Sequence, residues 1–379
     1  MRRRSFLATA AALPAAPALA QNPRARVLRF VPQANLTSLD PIWTTAAVTE
    51  NHGWSGFDTL YGMTADLRVQ PQMAEGHTVS DDGRTWLIRL REGLRFHDGE
   101  PVRAQDCAPS LARWARRDTF GQSLGAVVEA WEAADDRTIR IRLKSRFPLL
   151  LEALAKPAAV VPFMMPERIA RTDPFQQVTE MVGSGPYRFL RDEYVSGSRV
   201  AYAKFDGYVP RQEAASRTAG GKVAHFDRVE WTIMPDSATA SAALQAGEID
   251  WWEQINADLA PRLRRSRGVE VAVLNTLGYI GIARFNCLHP PFNNPAIRRA
   301  LLGAITQEDY LRGVTGNDPS AFKQCLSMWP CGTPYESTTG NQALQGPRNL
   351  DAVRAAIRAA GYNNEKVVII NPTDFPTIG

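Results

Sequence analysis

The stretch Met73-Ala74-Glu75-Gly76-His77-Thr78-Val79-Ser80-Asp81-Asp82-Gly83-Arg84-Thr85-Trp86-Leu87-Ile88-Arg89-Leu90-Arg91-Glu92-Gly93-Leu94-Arg95-Phe96-His97-Asp98-Gly99-Glu100-Pro101-Val102 reads as a series of turns around one strand. Asp82-Gly83 is a tight-turn pair, because glycine takes positive φ without a Cβ penalty. From Trp86 the residues alternate: Trp86, Ile88 and Leu90 on one side, Leu87, Arg89 and Arg91 on the other. That pattern predicts a half-buried strand with one apolar and one largely basic face. Glu92-Gly93 and Asp98-Gly99 supply two further turns, and Ala104-Gln105-Asp106 opens a helical run. Nothing in the stretch has catalytic spacing.

Working outward, Val27–Val31 predicts a short apolar strand, followed by the turn-like Leu39-Asp40-Pro41 before Trp43 and a helix over Glu50–Leu60. Leu111 and Trp114 place a helix over Ala104–Ala115, and Pro109 pushes its expected start to Gln105–Cys107, since proline is tolerated only in the first turn. Thr138–Leu143 alternates as a strand, and Phe147–Leu154 begins an apolar helix. Gly183-Ser184-Gly185-Pro186 reads as a loop entering a strand; the G-x-S-x-G pattern of a nucleophile elbow is absent.

Val229–Met234, a helix capped by Ser237 and ended by Gly247, and a strand at Ile249–Trp252 form an expected βαβ unit. Leu277–Asn286 is apolar and extended. Asn294 caps a helix with Pro295 at its first position, and Ile297, Ala300, Leu301, Ala304 and Ile305 make one apolar stripe. A helix over Asp351–Ala360, ended by Gly361, and a strand over Lys366–Ile370 follow.

At 379 residues and 44% hydrophobic content the chain can bury sizeable cores, and its length favours two or three domains. No run of about 18 apolar residues follows the N-terminus, so no membrane span is expected in the mature protein. The start, with Arg3-Arg4-Ser5-Phe6-Leu7 and the small-x-small Ala18-Leu19-Ala20, predicts a cleaved export signal over residues 1–20. The arginine pair resembles a twin-arginine signal; an ordinary secretory signal is the alternative. No cysteine stands at the cleavage site, so no lipid anchor is expected.

The formal net charge of +5 falls to about +2 without Arg2, Arg3 and Arg4, too balanced for nucleic-acid binding. The basic run Arg262-Leu263-Arg264-Arg265-Ser266-Arg267 reads as a solvated helix end. Four cysteines, at 107, 287, 325 and 331, allow three full pairings. In an exported protein the short loop favours a Cys325–Cys331 disulfide, with Cys107 and Cys287 as small buried residues. No histidine stands at ligand spacing from that pair, so a metal is not expected. The five histidines, at 52, 77, 97, 225 and 289, are scattered and read as surface or turn residues. No phosphate-binding, dinucleotide or zinc-protease motif is present, and no cofactor or catalytic set is expected.

The Met73–Val102 stretch resembles the signature of the family 5 solute-binding proteins, the peptide- and nickel-type receptors of ABC importers. Leu39-Asp40-Pro41, Phe57-Asp58-Thr59-Leu60-Tyr61, Pro71–His77, Gly183-Ser184-Gly185-Pro186-Tyr187, Leu244–Asp250 and the Pro291–Leu301 helix match further elements of that family. His77 stands where the family carries tryptophan.

The resemblance implies an α/β, two-lobed periplasmic binding protein fold of type II, cluster C-like. It places lobe one at 21–280, with an extra small subdomain at roughly 60–185, and a partial lobe two at 281–379. Complete relatives continue further, so an incomplete second lobe is the expectation here.

The implied function is non-enzymatic: a periplasmic, monomeric receptor captures a small solute, such as an oligopeptide, and delivers it to a membrane permease by lobe closure. The alternative is a truncated non-binding remnant or a secreted scaffold. Clefts of this kind join aromatic walls to a few polar groups, which makes Trp43, Trp251, Trp252 and Trp329 the candidate ligand residues, with Trp231 read as core.

Overall fold

The computed structural model describes residues 26–316 and 318–370. The expected export signal lies outside the described residues. The chain divides into two compact units, the first ending at Ile233 and the second starting at Met234.

The first unit carries β1 (Val27–Val31), α1 (Ala47–Gly56), β2 (Tyr61–Met63), β3 (Val69–Pro71), β4 (Ala74–Val79), β5 (Thr85–Leu90), α2 (Ala104–Arg117), α3 (Thr119–Val127), β6 (Val128–Ala133), β7 (Thr138–Leu143), α4 (Leu150–Leu154), α5 (Glu167–Ala170), β8 (Tyr187–Phe189), β9 (Arg199–Lys204) and β10 (Arg228–Thr232). β1 runs parallel to β10, joining the two ends of the unit; β10 pairs antiparallel with β9, and β9 with β8. Between them in sequence lies an antiparallel four-stranded sheet in the order β4-β5-β7-β6.

The alternation read in the opening stretch decides this inner sheet. Ile88 and Leu90 of β5, with Ile139, Ile141 and Leu143 of β7, are buried on one face. Arg89, Arg140 and Arg142 point to the other, where Glu75, Glu129 and Glu132 pair with them. α2 covers the apolar face through Ala104, Cys107, Leu111, Trp114 and Ala115, a helical spacing. The Trp114 indole N–H finds the Val160 carbonyl at 2.7 Å, so the buried ring keeps its hydrogen bond.

α2 starts at Ala104, ahead of the expected start, which leaves Pro109 inside the helix. The Asp106 carboxylate accepts the Arg103 N–H at 2.9 Å and the Glu167 N–H at 2.8 Å, so the N-terminus is held despite the proline. α1 is shorter at its C-terminal end than expected: Gly56 is its last residue, and Phe57 turns extended at φ −130° so that Phe57 and Leu60 enter the core.

Two smaller cores complete the unit. One gathers Phe30, Val48, Phe189, Tyr202 and Trp231, with Trp231 in ring contact with Phe30 and Tyr202, as read for this tryptophan. The other joins Phe57, Phe163, Met165, Ile169 and Val178.

The second unit carries α6 (Ser237–Ala246), β11 (Trp251–Trp252), α7 (Ala260–Arg264), α8 (Pro295–Leu302), α9 (Gln307–Thr315) and α10 (Leu350–Ala359). α6 is capped by Asp236, which accepts the Thr239 N–H at 2.7 Å, one residue before the serine expected there. Gly247 ends it at φ 73°, and Asn294 caps α8 through the Ala296 N–H. The strand expected over Lys366–Ile370 does not form; the segment pairs with no strand among the described residues, and Ile370 is 92% exposed. β-prone side chains cannot make a strand without a neighbour to complete the ladder.

Cys325 and Cys331 form a disulfide with 5.8 Å between Cα atoms. Cys107 is buried, but Cys287 is exposed, contrary to the expectation, because its flanking segment joins no core. No helix among the described residues is long and apolar enough to cross a membrane.

Candidate functional site

Leu39-Asp40-Pro41 is a firmly anchored polar element of the first unit. Asp40 is fully buried, and Arg113 of α2 is 2% exposed. The two carboxylate oxygens accept Arg113 Nη1 at 3.2 Å and Nη2 at 2.5 Å. They also accept the backbone N–H groups of Ile42 at 3.2 Å and Val178 at 3.1 Å. Arg113 spends its other donors on the carbonyls of Thr172 and Gln176. Both buried charges are thereby paired and hydrogen-bonded, the condition under which burial is tolerated. One ion pair ties three segments together: the Asp-Pro turn, the helix over the inner sheet, and the chain returning from that sheet.

His52 of α1 holds the same turn from the opposite side. Its Nε2 lies 3.0 Å from the Leu39 carbonyl and its Nδ1 2.8 Å from the Tyr202 hydroxyl. A carbonyl only accepts, so Nε2 carries the proton and Nδ1 accepts from the tyrosine. Burial pushes the His52 pKa down to about 4, against weaker opposing contributions from the Leu39 carbonyl and Asp40. The surface-or-turn reading therefore fails for His52, a fully buried residue.

His97 stands in a turn, as read, and is only partly exposed there. The His97 backbone N–H donates to Gly183 O at 2.9 Å, its Nδ1 accepts the Gly183 N–H at 3.3 Å, and its Nε2 donates to Gly185 O at 3.0 Å. The opening stretch thus clamps the Gly-Ser-Gly-Pro loop through a neutral imidazole, with its pKa lowered to about 4 chiefly by burial. Both loop glycines are required by contact: a Cβ at Gly183 would stand 1.9 Å from Gly56 O, and one at Gly185 2.6 Å from Phe57 N. Ser184 is buried and hydrogen-bonded to Asp58 N and Met164 O, a structural role and not a nucleophile's.

These anchors position Trp43, whose N–H closes the turn onto Asp40 O at 3.1 Å. The Arg117 guanidinium lies over the Trp43 ring, 4.4 Å from its centroid, and Arg117 Nη2 donates to Trp43 O at 2.8 Å. Phe175 approaches Arg117 as well, at 5.6 Å. Arg113, Arg117 and Phe175 carried no sequence signal of their own. Their place at the site follows from α2 packing beside the turn.

The other sequence-predicted residues belong to the second unit. Trp251 and Trp252 form β11, with Trp251 43% exposed. Trp329 sits inside the disulfide loop and is 58% exposed. The loop is held from outside by Gln307, whose side chain donates to Cys325 O at 2.6 Å and accepts Cys325 N–H at 2.9 Å. Among the described residues no group of three or more His, Cys, Asp or Glu is placed to hold a metal ion.

The model of the bacterial extracellular solute-binding proteins, family 5 (middle), matches residues 68–377. A probable peptide ABC transporter periplasmic-binding protein of Sinorhizobium fredii is 37% identical over 90% of this chain and 64% of its own length. The glutathione-binding protein of Salmonella typhi is 29% identical over 86% of this chain and 62% of its own. The chain thus spans less than two thirds of the length of these curated relatives.

Among solved structures, a periplasmic binding protein of A. tumefaciens in complex with agropinic acid superposes with a TM-score of 0.73 at 19% identity, over 93% of this chain and 68% of that one. The Helicobacter pylori periplasmic binding protein in complex with the peptide STSA gives 0.69 at 21% identity, over 89% and 66%. The mixed α/β architecture is that of the two-lobed periplasmic binding proteins, and the family is one of solute receptors, not enzymes. With its signature stretch, Asp-Pro turn and Gly-Ser-Gly-Pro loop each in place, this chain belongs to the family 5 bacterial extracellular solute-binding proteins.

Proposed function

We propose that the protein is the periplasmic receptor of an ABC importer, taking up a peptide or similar small solute and delivering it to a membrane permease. The family match across residues 68–377 carries this reading. Relatives named for peptide and glutathione binding support the solute class. Residues 1–20 act as a cleaved export signal, and the mature protein works as a monomer without a lipid anchor. The lobes divide near residue 280. Closure follows from a ligand that has higher affinity for the closed than the open state. Trp43, Trp251, Trp252 and Trp329 serve as aromatic walls; Trp43, on the doubly anchored Asp-Pro turn, is the best pre-organised of them.

Native mass spectrometry of the exported protein tests the reading. A retained small solute, released on denaturation and raising the melting temperature when added back, is the expected result. An apo mass alone, with no thermal shift from any member of a peptide library, overturns it.

A further inference from the structure

Arg116 and Arg117 end α2 beside Trp43, and both guanidinium groups approach one ring: Arg116 lies 5.9 Å and Arg117 5.6 Å from the Phe175 centroid. Two guanidinium groups on one ring make a local positive patch that an anion would offset. Among the described residues no ion pair involves either arginine; Asp40 is taken by Arg113 and Asp118 by Lys156. Asp173, in the same loop as Phe175, turns its carboxylate to the Phe175 N–H at 2.7 Å. Some arginines of this unit do find carboxylates, as Arg142 does with Glu129 and Glu132 and Arg168 with Asp98 and Glu180.

The geometry around the pair is otherwise prepared. Trp43 supports Arg117 from its π-face at 4.4 Å, which fixes the plane of the guanidinium. Among the described residues one of its nitrogens is spent, on Trp43 O. A planar fork with free N–H donors, beside a second cation, matches a carboxylate bidentately. Phe175, 58% exposed, leaves an apolar wall open to solvent next to the charges.

From this arrangement we infer that Arg116, Arg117, Trp43 and Phe175 form an anion subsite that takes a carboxylate of the transported solute. This deepens the receptor reading and rests on it. The carboxylate is a peptide's own C-terminus or an acidic side chain, and the two sources differ in their response to amidation.

The test uses the mature full-length chain and three pools of random tripeptides: one with free C-termini, one C-terminally amidated, and one amidated with glutamate at a single position. Retention is read by native mass spectrometry for the wild type and for Arg116→Gln/Arg117→Gln, whose melting temperature checks folding. The wild type is expected to favour a carboxylate-bearing pool over the plain amide pool by about tenfold or more, and the double variant to lose that preference. Preference for the free acids identifies the C-terminus; preference for the glutamate pool identifies the side chain.

Equal retention of all pools by the wild type, or an unchanged preference in the variant, overturns the subsite while leaving the receptor reading intact. If no pool is retained, the receptor reading fails, and glutarate titration followed by the arginine Nε–H signals decides the subsite. A saturable shift that vanishes in Arg117→Gln supports it, and its absence overturns it.

Discussion

The two units of the chain carry local signals of similar quality and reach different degrees of burial. In the first, Trp114, Tyr61, Tyr202, Phe96 and Phe163 are all fully buried, and three apolar clusters form. In the second, the buried apolar side chains among the described residues are Ala240, Ala243, Ile249, Leu263 and Ile297. Yet α8 and α10 have good asparagine caps, with the Asn349 side chain accepting Ala352 N–H at 2.9 Å. Val368 and Ile369, as β-prone as any residue of β7, stand 73% and 83% exposed. Caps and periodicity suffice to shape a helix, which closes its own hydrogen bonds. A strand needs another strand, and a core needs a second layer.

The sharpest break of this contrast is Asp40→Ala. It leaves the Arg113 charge buried without a partner and is expected to cost the first unit about 3–5 kcal/mol. Urea unfolding followed by hydrogen exchange checks it: protection should fall in α2 and the inner sheet while α8 and α10 exchange as before. Loss confined to the Asp-Pro turn would show that the pair does not anchor α2 and the inner sheet.

Acidification should act on the same unit through its two neutral histidines. His52 and His97 have folded pKa values lowered to about 4 from 6.5. Above pH about 6.5 both states are neutral and stability is complete. As pH falls through 6.5 the unfolded chain takes up protons that the folded one refuses until about 4, so stability is lost across that window. For His52 the loss is on the order of 3 kcal/mol. Denaturation midpoints measured from pH 7 to 4 should decline, and the decline should be shallower in His52→Gln. A flat profile would sink the account of the buried imidazoles.

Glycine substitutions give the smallest and cleanest comparison. Gly183→Ala places a methyl against Gly56 O and should destabilise by about 1–3 kcal/mol, at the upper end because backbone blocks it. Gly281→Ala in the second unit meets nothing within 4 Å and should stay within about 0.5 kcal/mol of wild type. Equal effects at the two positions would erase the distinction between a packed loop and an open one.

Sequence reasoning reached the elements whose cause is local. The alternation in β5 and β7 gave their buried faces directly, and Asp82-Gly83 gave a turn whose glycine sits at φ 67°. The short spacing of Cys325 and Cys331 pointed to the observed bridge. His52 was misread because residue type says nothing about burial: it looks alike in sequence to the exposed His289. The candidate site was half legible. Trp43 was singled out by its place after Asp40-Pro41, but Arg113, Arg117 and Phe175 come from residues more than 70 positions away.

For this protein, then, the stretch from Met73 to Val102 determined by itself the turns, the strand and, through its resemblance to the signature of the family, the family. Short-range chemistry is enough for that, since glycine turns and period-two alternation depend on neighbours in the chain. Only the tertiary structure decided that His97 in that stretch clamps the Gly-Ser-Gly-Pro loop, and that Arg117 lies over Trp43 while Arg116 and Arg117 share the Phe175 ring. Those contacts join segments distant in sequence, and no local pattern encodes a partner that arrives only when the layers pack.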